Sequence, residues 1–98
     1  MYGTIARVRL KEGLAEEDVR RVFDDVLNDR PEGSLGVFGM RSKEDPRVVW
    51  IGGAFESEEV YYRTAASPEQ SARFAKLTEL FEGEPEWHDG TFEQFVTF

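Results

Sequence analysis

The stretch that most limits what this chain can fold into runs from Val48 to Phe55. Two alternating sets of residues occupy it, and both are apolar: Val49, Ile51 and Phe55 on one side, Val48, Trp50 and Ala54 on the other. A strand with one wet face alternates apolar with polar, so a strand like this belongs in a sheet covered on both faces. It runs directly into Ser57-Glu58-Glu59. There a serine caps a helix, and acids in the first turn favour the positive end of its dipole. The rest of the chain must supply covers for two sheet faces.

Upstream, Tyr2 to Leu10 alternates as a strand, with Thr4, Ala6, Val8 and Leu10 on one face and Gly3, Ile5, Arg7 and Arg9 on the other. Lys11-Glu12-Gly13 turns the chain. From Ala15 to Asp29 the period becomes helical, and Val19, Val22, Phe23, Val26 and Leu27 form one apolar stripe that Pro31 and Gly33 bring to an end. Ser34 to Met40 is expected as a second strand, with Leu35 and Val37 on one side and Phe38 and Met40 on the other. It makes a hairpin with the third strand through Ser42 to Pro46. After the Ser57 cap, Ser67-Pro68-Glu69-Gln70 restarts the helix, which is predicted to run to about Phe81 with a kink at Ala66-Ser67-Pro68. Glu84 to Gly90 reads as a loop carrying Trp87 and His88, and Thr91 to Phe98 as the closing strand.

The order is β-α-β-β-α-β, the split βαβ arrangement of an α+β, ferredoxin-like domain with a four-stranded antiparallel sheet. All of residues 1–98 form one domain. Two helical regions cover one face of such a sheet. The other face would leave a large apolar patch exposed, and the simplest cover is a second copy, giving a homodimer through the sheet faces.

Composition removes several functions. The formal charge of −8 argues against nucleic acid and against an anionic membrane surface, because both need a surplus of Lys and Arg. There is no cysteine, so disulfides and thiolate chemistry are absent. No signal-like or membrane-spanning run is present, which makes the expected address cytoplasmic. Nor is there a G-x-G-x-x-G or phosphate loop.

Candidate site residues are few. Trp50 is either core or a ligand wall, and Gly52-Gly53 beside it leave room that another side chain would fill. Arg7 and Arg9 share a strand face, either reaching solvent or lining a pocket or subunit contact. Tyr61 is placed on the inward face of the kinked helix and Tyr62 outward; a buried phenol there needs a hydrogen-bond partner. His88 is the one side chain whose ordinary pKa lies near neutrality, so it is a candidate general base or an exposed loop residue. Glu86, His88 and Asp89 lack the second histidine and the convergence a metal site wants, so no metal is expected.

Four segments carry a resemblance. They are Arg7-Val8-Arg9-Leu10-Lys11-Glu12-Gly13-Leu14 before the first helix, Phe55-Glu56-Ser57-Glu58-Glu59-Val60, Ser67-Pro68-Glu69-Gln70, and Trp87-His88-Asp89-Gly90. Together they resemble the antibiotic biosynthesis monooxygenase domain family, whose members form dimeric α+β barrels. The resemblance implies a pocket between sheet and helices. It implies a small aromatic substrate, quinol or polyketide-like, that itself delivers electrons to dioxygen, with no bound cofactor. In that setting His88 or Tyr61 would take the proton of an acidic hydroxyl, Arg7 or Arg9 would stabilise the anion, and Trp50, Phe38 and Phe74 would bind the ring. The chain departs from haem-degrading relatives, since Tyr61 to Phe81 contains no histidine. The alternative is a non-catalytic ligand-binding or structural homodimer, its pocket filled by Phe38, Trp50, Phe74 and Phe92.

Overall fold

The computed structural model describes all 98 residues. In order they form β1 (Tyr2–Arg9), α1 (Glu16–Leu27), β2 (Ser34–Arg41), β3 (Val48–Phe55), α2 (Glu58–Ala65), α3 (Pro68–Thr78) and β4 (Glu86–Thr91). The strands pair antiparallel in the order β2-β3-β1-β4. This is the ferredoxin-like α+β fold, with the second helical region split in two.

Local chemistry accounts for the split. Ser57 caps α2 by accepting a hydrogen bond from the Val60 N–H at 3.2 Å. Ser67 does the same for α3 with the Gln70 N–H at 3.2 Å, and Pro68 occupies the first turn. Each cap satisfies a donor that the helix itself cannot. The Ser67 hydroxyl also donates to the Thr64 carbonyl at 2.7 Å, stapling the end of α2 to the start of α3.

Two expected boundaries move. The helix ends at Thr78, and Phe81 leaves it to bridge Leu10. More consequentially, the closing strand is Glu86–Thr91 rather than Thr91 to Phe98. It pairs with β1 from Tyr2↔Thr91 to Arg7↔Glu86. It is an edge strand exposed at every residue, so it never shows the apolar alternation that marks a buried strand.

Register assigns the two faces, because directly paired residues point to the same side. The inner set, Ala6, Val8, Val49 and Ile51, packs with Val19, Val26 and Leu77 of the helices in the main core. Val8, at 2% exposure, is the largest side chain so fully enclosed. Burial of each such side chain contributes roughly 1.5–3 kcal/mol.

The outer face is built in rows. Gly3, Ala54 and Gly36 stand in cross-strand register and form a shallow trough. A Cβ on Gly3 would lie 2.8 Å from the Phe92 ring, and one on Gly36 would lie 3.6 Å from the Phe95 ring. These two rings fill the trough, edge to face with centroids 6.4 Å apart, and so bury Ala54. The segment after β4 is thus a cover for the sheet and not a strand in it. In the next row Ile5, Gly52 and Phe38 align, and the Phe38 ring lies across Gly52. The row beyond holds Arg7, Trp50 and Met40. On β2 a bulge leaves Leu35 without a partner, so it is not tied to the face of Val37.

Candidate functional site

A cavity of about 490 Å³ opens between the inner sheet face and the helices. Its origin is local. The inner face carries only Thr4 and Gly53 where larger residues would fill it, between Ile51 and Phe55. Above them, α2 buries no residue and α3 buries only Leu77, so neither helix seals the sheet. The walls are Tyr61 of α2, Arg73 and Phe74 of α3, and Trp87 and Asp89 of β4. Phe74 and Trp87 pack together with ring centroids 5.3 Å apart and planes tilted by 44°, giving an apolar, angled aromatic side.

The polar end is organised by Asp89. One of its carboxylate oxygens accepts from the Tyr61 hydroxyl at 3.3 Å, the other from the Tyr62 hydroxyl at 3.2 Å. Tyr2 and Tyr62 share a further hydroxyl contact at 2.8 Å. The Thr4 hydroxyl donates to the His88 carbonyl at 3.3 Å, tying the floor to β4. Burial raises the Tyr61 pKa above its ordinary value; the Thr4 hydrogen bond opposes this, and the Asp89 charge adds to it. The hydrogen bond to Tyr2 raises Tyr62, with burial and Asp89 behind it. At neutral pH both tyrosines are therefore phenols, and both donate hydrogen bonds to the Asp89 carboxylate.

At the other pole, Arg73 is the one cation lining the cavity. Its Nε donates to Asp29 at 3.2 Å and its Nη1 to the Gln70 side chain. Gln70, Arg73, Phe74 and Leu77 fall at helical spacing on one face of α3, a pattern visible in the sequence and overlooked for want of a charge partner nearby in the chain.

The expected site residues separate into two groups. Tyr61 and Phe74 line the cavity. His88 pairs with Ile5 and so points to the outer face, where its Nε2 meets Glu86 at 2.9 Å. Trp50, Arg7 and Phe38 are outer residues as well, and Arg9 is engaged by Asp45 at 3.0 Å. His88 and Tyr61 thus lie on opposite sides of the sheet and cannot share one substrate proton within a single chain. The reason is the strand at Glu86–Thr91. Alternation sends Trp87 and Asp89 inward and His88 outward, whereas a loop imposes no such rule. Of the four aromatics expected to fill the space, only Phe74 faces it. No group of three or more acidic or His side chains is placed to share a metal ion. No helix is long and apolar enough to cross a membrane.

A four-stranded antiparallel sheet with its helices on one side and a ligand-sized cavity between them defines an α+β domain of the ferredoxin-like class. Comparison by sequence finds no matching family model and no matching curated protein. Comparison by structure does find matches. The chain is similar to a variant of SnoaB, a cofactor-independent oxygenase from Streptomyces nogalater, with TM-score 0.79 and 15% identity over 97% of this chain and 95% of that one. It is similar to a protein of Bordetella bronchiseptica provisionally named an antibiotic biosynthesis monooxygenase, with TM-score 0.77 and 22% identity over 98% and 97%. Rv0793 from Mycobacterium tuberculosis matches with TM-score 0.76 and 14% identity, covering 98% of each chain. The fold is that of antibiotic biosynthesis monooxygenase structures across essentially its whole length.

Proposed function

We propose that this chain is a cofactor-independent monooxygenase of the antibiotic biosynthesis monooxygenase type, acting on a small, flat, electron-rich aromatic. The observation that carries the proposal is the pairing of an aromatic wall, Phe74 and Trp87, with the tyrosine-clamped carboxylate of Asp89 in one cavity. Ligand sites are mostly apolar with a few converging polar groups, and this cavity has that composition. Asp89 takes the proton of an acidic substrate group. The Tyr61 phenol then donates to the oxygen on which negative charge develops. The anion is the reductant: dioxygen oxidises a ring methylene to a ketone, one oxygen atom stays in the product and the other leaves as water.

Trp50, Arg7, Arg9, Phe38 and His88 have a different place in this proposal. They belong to the outer face, where Ile5, Phe38 and Met40 are exposed. A second copy packed there would cover them and complete a dimeric α+β barrel.

Oxygen uptake with a panel of anthrones and hydroquinones tests the activity. Turnover that falls about 10²–10⁴-fold in Asp89→Asn and markedly in Tyr61→Phe supports the assignment. Saturable binding of the same compounds with no oxygen consumption would replace it with a non-catalytic binding protein.

A further inference from the structure

The cavity has a second polar feature that the proton chemistry does not use. Arg73 projects from the middle of α3, and its side chain is only 12% exposed. Of its three guanidinium nitrogens, Nε is taken by Asp29 and Nη1 by Gln70, while Nη2 has no protein partner. No buried side-chain nitrogen or oxygen in the molecule lacks a hydrogen bond, so Nη2 is not sealed in the core and stays accessible. Arg73 lines the cavity, so a ligand held there is within reach of its guanidinium.

The counter-ion is poorly matched to this cation. Asp29 follows the end of α1 with a side chain 68% exposed, so water screens its charge, and Gln70 is neutral. A guanidinium withdrawn from water gains when a carboxylate meets it at close range, and its planar fork suits a carboxylate. The other charged group on the walls beyond this pair, Asp89, is already occupied by Tyr61 and Tyr62.

We infer that Arg73 is an anion-docking residue and that the ligand of this cavity is an aromatic bearing a carboxylate. The ring lies against Phe74 and Trp87 and the acid group on Nη2 of Arg73. This inference rests on the cavity being a ligand site, and it adds the charge of the ligand. Docking at Arg73 fixes one end of the molecule, so the position of the acid group along the ring selects which ring atom reaches Asp89. Asp29 and Gln70 act as positioning residues, since they hold the guanidinium by the two nitrogens that do not face the ligand.

The test uses two neutral-pH probes of one shape, naphthoate and naphthamide, titrated calorimetrically into the full chain. Naphthoate should bind about tenfold or more tightly than naphthamide, as a charge-assisted contact requires. Raised ionic strength should weaken naphthoate selectively. In Arg73→Gln the preference should vanish through loss of naphthoate affinity with naphthamide unchanged, and Arg73→Lys should restore part of it. Equal affinity of the two probes in the native chain, which needs no variant, overturns this inference while leaving the ligand cavity intact. Binding of neither probe overturns the cavity as an aromatic site and this inference together. A preference that survives in a folded Arg73→Gln also overturns it.

Discussion

Gly52 and Gly53 are neighbours in β3 that face opposite sides of the sheet, so one substitution made at each separates two kinds of space. A Cβ on Gly52 would sit 2.5 Å from the Thr4 carbonyl oxygen and 2.7 Å from the Phe38 ring. The ring is at an exposed position and can swing away, but the carbonyl belongs to the central strand and cannot. Overpacking of this kind costs roughly 1–3 kcal/mol, and the smaller entropy of the unfolded alanine chain returns about 0.4–1 kcal/mol. Gly52→Ala should therefore be less stable by about 1–2 kcal/mol, which for a domain of this size lowers Tm by roughly 5–15 °C. A Cβ on Gly53 would meet Gly36 and Val37 at 3.1 Å, a distance that a shift of a few tenths of an ångström relieves. The same entropic return offsets that strain, so Gly53→Ala should stay within about 0.5 kcal/mol of the native chain. Its effect should appear in the cavity, as weaker binding of aromatic probes. Urea unfolding at one fixed protein concentration, with Tm by differential scanning calorimetry, gives the comparison. A Gly53→Ala protein less stable than Gly52→Ala would refute the assignment of the two faces.

Ser57→Ala and Ser67→Ala should each cost about 0.5–2 kcal/mol in urea unfolding, because each leaves one helix N–H without its acceptor. The hydrogen bond from the Arg47 backbone N–H, helped by Arg9, holds Asp45 below its ordinary pKa of 3.8. A lowered carboxylate pKa stabilises the fold above 3.8 and loses that effect as pH falls through the folded-state value. Asp45→Asn should thus be the less stable protein at neutral pH, and the gap in unfolding free energy should close in acid; a gap independent of pH would refute the pairing. Val8→Ala should destabilise by roughly 2–3 kcal/mol through lost burial and the cavity left behind, measured in the same unfolding experiment. If the outer face carries the proposed dimer, the native chain should sediment as a dimer and Trp50→Glu as a monomer with its circular dichroism spectrum preserved. A monomeric native chain would refute the dimer, and an unchanged dimer in the variant would remove the outer face from the interface.

The parts of this fold legible in the sequence are those with a strong local signature. The α1 stripe of Val19, Val22, Phe23 and Val26 has helical period. Ser57 and Ser67 each stand before a first turn, so the break between α2 and α3 is legible at Ala66-Ser67-Pro68. The faces of the sheet were not legible. β3 is apolar on both sides, and only pairing with β1 shows that Ile51 looks at the helices and Trp50 away from them. The largest difference is β4, where Glu84 to Gly90 reads as a loop in the sequence and Glu86–Thr91 is a strand in the structure. An exposed edge strand is recognised by the partner it pairs with, and that partner is β1 at the far end of the chain. This one shift carried the site with it, moving Asp89 and Trp87 into the cavity and His88 out of it. Arg73 carries no such local signature, because its partner Asp29 lies 44 residues away in the chain, just past the end of α1.

The sheet order β2-β3-β1-β4 places the first strand in the middle, hydrogen-bonded on both edges to strands that come much later. No hairpin contains β1, so nothing local holds it before the chain closes on itself. Each ladder along it requires closure of a long loop, and the register Tyr2↔Thr91 spans nearly the whole sequence. The β2–β3 hairpin, by contrast, closes through a short turn and can form early. Kinetically, the domain is a hairpin waiting for its centre. Substitutions in the β2–β3 turn should mainly alter the folding rate, and those along the β1–β4 ladder mainly the unfolding rate. The cavity, whose floor includes Thr4 of β1 and whose wall includes Asp89 of β4, then exists only once the last ladder has closed.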